Sequence, residues 1–486
     1  MDKNVQNRNT IYNTIKSVFS VIHPIITFPY ISRVLMTDNV GKISYGNSIV
    51  SYFALLASLG VKTYAIRECS KVRGDRSRLG RIASEILSIN IVSTLISYFG
   101  LAILLLFAKP LESYRILICV QSATILFTTM GADWINTAME DFRYLAIRTM
   151  LFQVLSLLLM FVFVHRPEHY MRYALIAVVS SSGANIANIL YRRRFCTIRF
   201  TWKMNARKHL PSILLLFSLI LSQTIYVNSD MTILGLIKGD HEVGLYSTAV
   251  KIYQIVNTTI ASIAWVVMPK LSAYFAVGNY TEINRLLKYA LNFILVLGIP
   301  SICGLEIIAP HLIGTIAGEA YIDAAPALRI LGVAMLCSFI GGWIGNMTRL
   351  PAGRESISLR ISMISASINI ILNLIMIPKW GMYAAAFTTA VSECFGMTCG
   401  LVLLDRKIRI EGIGKMLIGP LIGGAGIVAI GAIIQRALDQ YWLVSCVTIV
   451  ISMAWYLIVM CATKNEFFFG FVKPVLNRFR GGDGEI

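Results

Sequence analysis

Acidic residues are scarce in this sequence, and charged residues of either sign are few. Only 25 of the 486 residues are Asp or Glu, against 44 Lys and Arg, and charged residues make up 14% of the chain. Long polar stretches are also missing, since the widest gap between apolar segments is the one at 191–211. This composition leaves little room for a soluble domain and excludes a folded basic domain that would bind nucleic acid.

The usual signatures of catalysis and of metal binding are absent as well. The nine cysteines form no CxxC pair, and the sequence contains no P-loop and no HExxH motif. His165 and His169 flank Glu168, but Pro167 between them disfavours the helix that would align three ligands. We therefore expect no disulfide framework, no metal site, no cofactor and no enzymatic activity.

Long apolar segments dominate what is present. The chain is 56% hydrophobic, with a mean hydropathy of +0.68. A helix crosses a bilayer with about 20 apolar residues. Fourteen such segments are predicted, at 11–32, 42–64, 83–108, 115–134, 148–164, 172–190, 212–237, 243–268, 288–308, 325–347, 357–377, 381–404, 416–435 and 441–462. The sequence thus predicts an all-α integral membrane protein, because these segments are too uniformly apolar for the strands of a membrane barrel.

Basic residues fall in alternate gaps between these segments. If the N-terminus is cytoplasmic, 32 of the 44 Lys and Arg lie in or beside cytoplasmic gaps and 10 on the other side, while Lys62 and Lys251 fall inside segments. An excess of Lys and Arg marks cytoplasmic loops. We therefore predict a multi-pass protein with both termini in the cytoplasm, whose basic loops set topology and contact anionic lipid headgroups.

The two halves of the chain resemble one another at an offset of 203–204 residues. Val40-Gly41 and Tyr45 are matched by Val243-Gly244 and Tyr246, and the Gly74-Asp75 loop is matched by Gly278-Asn279. The offset predicts two pseudo-symmetric lobes of like orientation, formed by helices 1–6 and 7–12. The predicted domains are residues 1–208, 209–412 and 413–486, the last holding helices 13–14 and a basic cytoplasmic tail. Two such lobes suit a transporter that works by alternating access.

A few charges lie where a membrane makes them costly, and these are the candidate functional residues. Asp230 and Lys251 fall at matching depths in helices 7 and 8, so they either pair structurally or line a cavity. Glu393 lies near the middle of helix 12, where it either takes up a proton or forms an interhelical hydrogen bond. Arg33 and Lys62 lie near the ends of helices 1 and 2, where they either extend to the interface or bind an anion.

Several motifs resemble the Wzx-type O-antigen flippases, a family of polysaccharide transporters in the multidrug/oligosaccharidyl-lipid/polysaccharide (MOP) superfamily. They run, in order, through Phe28-Pro-Tyr-Ile-Ser-Arg-Val-Leu, Tyr45-Gly46, Leu59-Gly60, Tyr64-Ala-Ile-Arg-Glu68, Tyr226-Val-Asn-Ser-Asp230, Glu242-Val-Gly-Leu-Tyr246, Val267-Met-Pro-Lys-Leu271, Leu350-Pro-Ala-Gly-Arg354, Asn369-Ile-Ile-Leu-Asn373, Ile377-Pro and Glu393. The resemblance covers residues 10–405. Two departures are Met36, where the family often has Gly, and Gly381-Met-Tyr-Ala, where it usually has a second Gly.

This resemblance implies a MATE-like fold of fourteen helices in a bacterial inner membrane. It implies movement of an undecaprenyl-pyrophosphate-linked oligosaccharide to the periplasmic leaflet, with H⁺ or Na⁺ as the coupling ion and other polysaccharide-assembly proteins as partners. Arg33, Asp230, Lys251 and Glu393 align with charged positions of the family. Arg33, Lys62 and Lys251 are the expected diphosphate ligands, while Asp230 and Glu393 are the expected ion-coupling or cavity acids.

Two other functions compete with this interpretation. A multidrug or cation antiporter of the same superfamily takes substrates that are often cationic, and it needs a cavity that is acidic on balance. A membrane glycosyltransferase or repeat-unit polymerase needs a sizeable aqueous loop for its catalytic residues. The misplaced charges here are basic on balance, and the longest predicted outward loop spans only 309–324, so the sequence favours the flippase.

Overall fold

In the computed structural model, residues 3–465 and 467–469 are described, and they form helices and connecting turns without a strand. The predicted all-α membrane fold is confirmed for these residues. Most of the C-terminal basic tail lies outside them, including Lys473, Arg478 and Arg480, whereas Lys464 is among the described residues.

Sixteen α-helices occupy most of the described chain. In the first half they are α1 (Lys3–Ser58), α2 (Val61–Ser70), α3 (Arg76–Phe107), α4 (Arg115–Gly131), α5 (Trp134–Ala138), α6 (Phe142–Phe163), α7 (Tyr170–Val178), α8 (Ala184–Tyr191) and α9 (Ala206–Lys238). In the second half they are α10 (Asp240–Ala261), α11 (Ile263–Ala276), α12 (Tyr280–Ile316), α13 (Ala325–Gly342), α14 (Glu355–Val402), α15 (Ile413–Ala437) and α16 (Tyr441–Ala462). Short 3₁₀ or π turns connect several of them, among them Lys109–Tyr114, Arg192–Arg194 and Glu319–Ala324.

Ten helical stretches of the described residues are long and apolar enough to cross a membrane, or eleven if the bent pair Asp240–Ala261 and Val266–Ala276 forms one span. Two of them, Thr14–Ser70 and Glu355–Val402, contain 57 and 48 residues and are interrupted by non-helical backbone at Met36 and Gly381. Each is about twice the length of a single crossing. The lengths agree with the predicted fourteen helices, and that count stays a prediction.

Large apolar side chains cover the outside of these helices. On α3, Leu95, Phe99 and Leu106 are each 64–70% exposed, and on α16, Val450 and Met453 are exposed to a similar extent. Water would penalise such continuous apolar surfaces, whereas lipid tails solvate them. The chain is therefore a multi-pass membrane protein.

The chain divides into two compact units, Met1–Gly244 and Leu245–Ile486. In the first, α1 packs on α3, α4, α6 and α9, and in the second, α12 packs on α13, α15 and α16. Helix α9 is grouped with the first unit, whereas the repeat assigns it to the second lobe. The predicted division at 208 rests on the repeat and stays a prediction.

The repeat offset recurs in the backbone of the two halves. Met36 interrupts α1 with φ 61° and ψ 175°, and Gly239, its counterpart in the repeat, ends α9 with φ 85° and ψ −170°. Asp75 caps α3 by accepting hydrogen bonds from Ser77 N and Arg78 N, and its counterpart Asn279 caps α12 by accepting one from Glu282 N. The same turn and the same type of cap thus begin corresponding helices.

Candidate substrate-binding site

A buried ion pair in the first unit forms the centre of the site. The Arg148 guanidinium donates from Nη2 to Asp133 Oδ1 at 2.6 Å, and the Arg148 side chain is 4% exposed. Within the described residues, its Nε and Nη1 have no hydrogen-bond partner. Asn185 also donates to Asp133, at 2.9 Å, in the amide orientation that satisfies both of its polar atoms. Asp133 therefore binds Arg148 without using all of the guanidinium's donors.

Two lysines add positive charge to this pair. Lys16 of α1, half-buried, interacts electrostatically with Asp133, Lys62 and Arg148. Lys62, at the start of α2, is exposed. Lys16 thus links Lys62 electrostatically to the Arg148–Asp133 pair. We call Lys16, Lys62, Arg148 and Asp133 the cationic cluster. Its net charge of about +2 at neutral pH suits an anion.

A break between two helices places Asp133 in the cluster. Helix α4 ends where Ala132 takes a left-handed conformation, with φ 49°, and α5 begins at Trp134. The buried Asn188 amide holds this break by donating to Gly131 O and to Asn136 Oδ1, each at 2.8 Å. The break turns the chain so that Asp133 meets Arg148, which lies two turns into α6.

Aromatic rings also pack near the Arg148 guanidinium. Its guanidinium lies 5.3 Å from the centre of the Tyr144 ring, and Tyr144 stacks on Tyr191 with 3.5 Å between ring centroids. The Tyr191 hydroxyl donates to Asp141 Oδ2 at 2.7 Å, which fixes the stack at the start of α6. Such a cation–π contact stabilises the charge without neutralising it.

Arg33 does not join the cationic cluster. It lies on an exposed face of α1, three residues before the break at Met36, and about 25 Å along the helix from Lys16. Of the two edge cations predicted in helices 1 and 2, the structure therefore brings only Lys62 together with other charges of the cluster.

The predicted acids lie in different surroundings. Asp230 is 5% exposed in α9, beside the phenol of Tyr52, which accepts a 3.3 Å hydrogen bond from Thr232. Lys251 is half-buried in α10. Asp230 belongs to the first unit and Lys251 to the second, so their pairing stays a prediction.

Glu393 lies in a polar cluster of the second unit. It interacts electrostatically with Tyr253 of α10 and Cys337 of α13. The Asn257 amide donates to the Tyr253 hydroxyl at 2.9 Å and to Ser338 Oγ at 3.3 Å. Glu393 thus lies near the Tyr253 hydroxyl and the Cys337 thiol, which belong to two other helices.

Three members of the cationic cluster were not predicted as site residues. Lys16 and Arg148 belong to the charges that predict topology. Asp133 lies at the end of the predicted apolar segment 115–134 and is not among the predicted site residues. The available signal was Gly131-Ala-Asp133-Trp134, an acid next to a helix-ending glycine and within reach of a basic residue. Within the described residues no group of three or more His, Cys, Asp or Glu could hold a metal ion.

A family model described as polysaccharide biosynthesis protein matches residues 7–275, more than half of the chain. The chain belongs to this family. It is 23% identical over 393 residues to the capsular polysaccharide biosynthesis protein CapF of Staphylococcus aureus, covering 79% of this chain and 96% of that one. It is 19% identical over 392 residues to a putative O-antigen transporter of Escherichia coli K12, covering 80% and 94%.

The fold is similar to that of a solved flippase. The structure titled lipid II flippase MurJ, inward closed conformation, matches with a TM-score of 0.75 over 94% of this chain and 99% of that one, at 16% identity. The predicted family and fold are therefore confirmed. At this identity the likeness shows the fold alone.

Proposed function

We propose that this protein is a flippase that moves an undecaprenyl-pyrophosphate-linked oligosaccharide from the cytoplasmic to the periplasmic leaflet of a bacterial inner membrane by alternating access. The observation that carries the proposal is the cationic cluster, in which three cations, Lys16, Lys62 and Arg148, are grouped with a single carboxylate. A lipid diphosphate needs fixed cations within the membrane region, and charge-assisted hydrogen bonds to phosphate oxygens are among the strongest available. The names of the CapF and O-antigen relatives support a polysaccharide precursor as the cargo.

Each member of the cluster has a distinct part in this proposal. Asp133 holds Arg148 by one nitrogen and leaves the Nε and Nη1 donors for a phosphate oxygen. Lys16 and Lys62 add point charges that need no fixed geometry. The protein lowers the cost of moving the diphosphate and leaves its bonds intact, so the proposed activity is transport and not catalysis.

Surface-polysaccharide assembly in a strain lacking its own flippase tests the proposal. The Lys16→Ala/Lys62→Ala double variant should assemble less than a tenth of the parental amount at matched expression, and Lys16→Arg/Lys62→Arg should retain most of it. Arg78→Ala is the matched control, because Arg78 is an exposed arginine on α3 that pairs with Asp75 outside the cluster. Normal assembly in the double alanine variant would reject the diphosphate role.

A multidrug or cation antiporter is the alternative, and the same strains separate the two functions. That function requires extrusion of cationic dyes, which the loss of two lysines should leave intact or increase. A parental chain that extrudes dyes and fails to restore polysaccharide would favour the antiporter.

We further propose that Glu393 carries the coupling proton, with Asp230 as a second acid and with Arg33 and Lys251 as additional contacts for the diphosphate. The Tyr253 hydroxyl near Glu393, which accepts a hydrogen bond from Asn257, supports this role. Proton flux in vesicles should be lost in Glu393→Gln and kept in Glu306→Gln, since Glu306 is an exposed carboxylate on α12 in the same unit. Equal flux in the two variants would remove Glu393 from coupling.

A further inference from the structure

The segment that links α8 to α9 is fixed along α3. Arg199 N donates to Ser84 Oγ at 3.1 Å, and Thr201 N donates to Ser88 Oγ at 2.9 Å. Further along, the Asn205 amide donates to Glu85 Oε1 at 2.9 Å. The segment thus lies along α3, and the backbone of Arg199 is held there by a hydrogen bond.

The end of α8 and the first part of this segment together form a pocket. Its volume is about 380 Å³, and three arginines, Arg192, Arg193 and Arg199, line it together with Ile189 and the stretch 196–198. No carboxylate is among its lining residues. The nearby Arg76 guanidinium donates to Arg193 O at 3.2 Å, which adds a fourth cation close to the pocket.

Arg192 is the buried arginine of the pocket. It is 8% exposed, and its Nη1 has no hydrogen-bond partner within residues 3–465 and 467–469. An unpaired donor on a buried cation is costly, and such groups are normally satisfied by a counter-charge or by ordered water. Arg193 and Arg199, both exposed, extend the positive charge to the mouth of the pocket.

The surroundings of the pocket indicate which kind of molecule supplies the negative charge. The pocket lies at the end of the apolar stretch Pro167–Arg194, and Leu190 beside it is 67% exposed. Trp202 is 82% exposed and meets Phe200 edge to face at 5.0 Å between ring centroids. Exposed aromatic and basic residues at the end of a membrane helix are typical of the headgroup layer.

We propose that the pocket of Arg192, Arg193 and Arg199 binds a phosphate group, and that the source is the headgroup of an anionic phospholipid. The buried Arg192 guanidinium contacts the phosphate oxygens, while Arg193 and Arg199 close over it. This ligand is separate from the cargo of the cationic cluster, so the site can exist whether or not the chain is a flippase. A bound lipid would tie the α8–α9 segment to the membrane surface.

Lipid titration of the purified full-length chain, followed by native mass spectrometry, tests the proposal. Phosphatidylglycerol should bind the parent at least about tenfold more tightly than phosphatidylethanolamine, and Arg193→Gln/Arg199→Gln should lose that preference. This double variant changes exposed side chains only, so its fold should persist, and Arg192→Gln should act in the same direction. Arg78→Gln, an exposed arginine outside the pocket, should behave as the parent.

A second arm separates the two sources of phosphate. Millimolar inorganic phosphate that displaces phosphatidylglycerol from the parent, and not from the double variant, supports a site for the phosphate group from either source. Inorganic phosphate that leaves the lipid bound supports a site specific for the lipid. Equal phosphatidylglycerol binding by the parent, the double variant and Arg192→Gln would overturn the proposal.

Discussion

Gly41 packs against Gly244, its counterpart in the internal repeat. A Cβ atom on Gly41 would clash with the Asp240 carbonyl oxygen and lie 3.0 Å from Gly244 N, and one on Gly244 would clash with the Thr37 carbonyl oxygen. Thr37 and Asp240 are counterparts at the same offset. Gly41 therefore contacts Asp240 in the same way as Gly244 contacts Thr37, the repeat counterpart of Asp240. Such reciprocal contacts are what a local two-fold axis produces.

Alanine at either glycine should open this contact, because the obstacle is backbone that a side-chain rotation cannot move. The nearby Asp38 and His241, 2.9 Å apart, offer a readout. In a cysteine-free background, an Asp38→Cys/His241→Cys pair should form a disulfide readily, and Gly41→Ala or Gly244→Ala should reduce its yield several-fold. Gly74→Ala is the control, since a Cβ there meets nothing within 4 Å. Unchanged yields would show that the junction tolerates the added atoms.

Replacing Met36 with glycine should stabilise the folded chain. Its φ of 61° with ψ of 175° falls in a region that only glycine adopts freely, and a side chain there costs about 1–3 kcal/mol. Gly239, its counterpart, has nearly the same conformation. Met36→Gly should therefore raise the thermal midpoint of the purified chain, whereas Gly239→Met should lower it. Met453→Gly, at an exposed methionine in the interior of α16, should lower it by the ordinary helix cost of glycine, about 1 kcal/mol.

A buried relay of Tyr64, His209 and Glu85 should stabilise the first unit. The Tyr64 hydroxyl lies 2.7 Å from His209 Nδ1, and His209 Nε2 lies 2.9 Å from Glu85 Oε2. His209→Ala should destabilise the chain by about 1–3 kcal/mol, because it leaves Glu85 buried with fewer hydrogen bonds. Tyr64→Phe removes only the outer bond and should cost less. Denaturant titration measures both, and equal costs would contradict the central position of His209.

Cys196, in the wall of the arginine pocket, should react slowly with maleimide near neutral pH. The side chain is fully buried, and burial raises the pKa of its thiol, so the reactive thiolate is scarce below that pKa and grows as the pH rises toward it. In a cysteine-free background, a chain with Cys196 alone should label more slowly than one carrying Thr197→Cys, the exposed neighbour. Equal rates at pH 7 would contradict the burial of Cys196.

The membrane fold could be predicted because a bilayer demands long apolar segments, and this sequence has them in regular order. The repeat could also be predicted, because both halves have glycine at the same position, Gly41 and Gly244. The structure shows that each glycine makes a close backbone contact, which a larger residue would prevent. The cationic cluster could not be predicted in the same way. Asp133 and Arg148 lie on either side of α5, and they meet because the left-handed backbone of Ala132 ends α4. Alanine seldom adopts this conformation, so the sequence does not predict the break.

Counting charges along the sequence also does not identify the buried basic residues of the two proposed sites. Lys16, Arg148 and Arg192 all belong to the basic bands that predict topology, and a band does not reveal which of its members is buried. Arg192 and its exposed neighbours Arg193 and Arg194 look alike in the sequence. Only their burial in the folded chain distinguishes them.

The most direct test of the central claim is translocation of a lipid-linked oligosaccharide by the purified chain in vesicles. The parent should expose the oligosaccharide to an added glycosidase, and the rate should fall at least about tenfold in Lys16→Ala/Lys62→Ala while Arg78→Ala keeps the parental rate. A competing anionic lipid diphosphate should slow the parent more than the double variant. Parental rates in the double variant would contradict the claim that the cationic cluster binds the diphosphate.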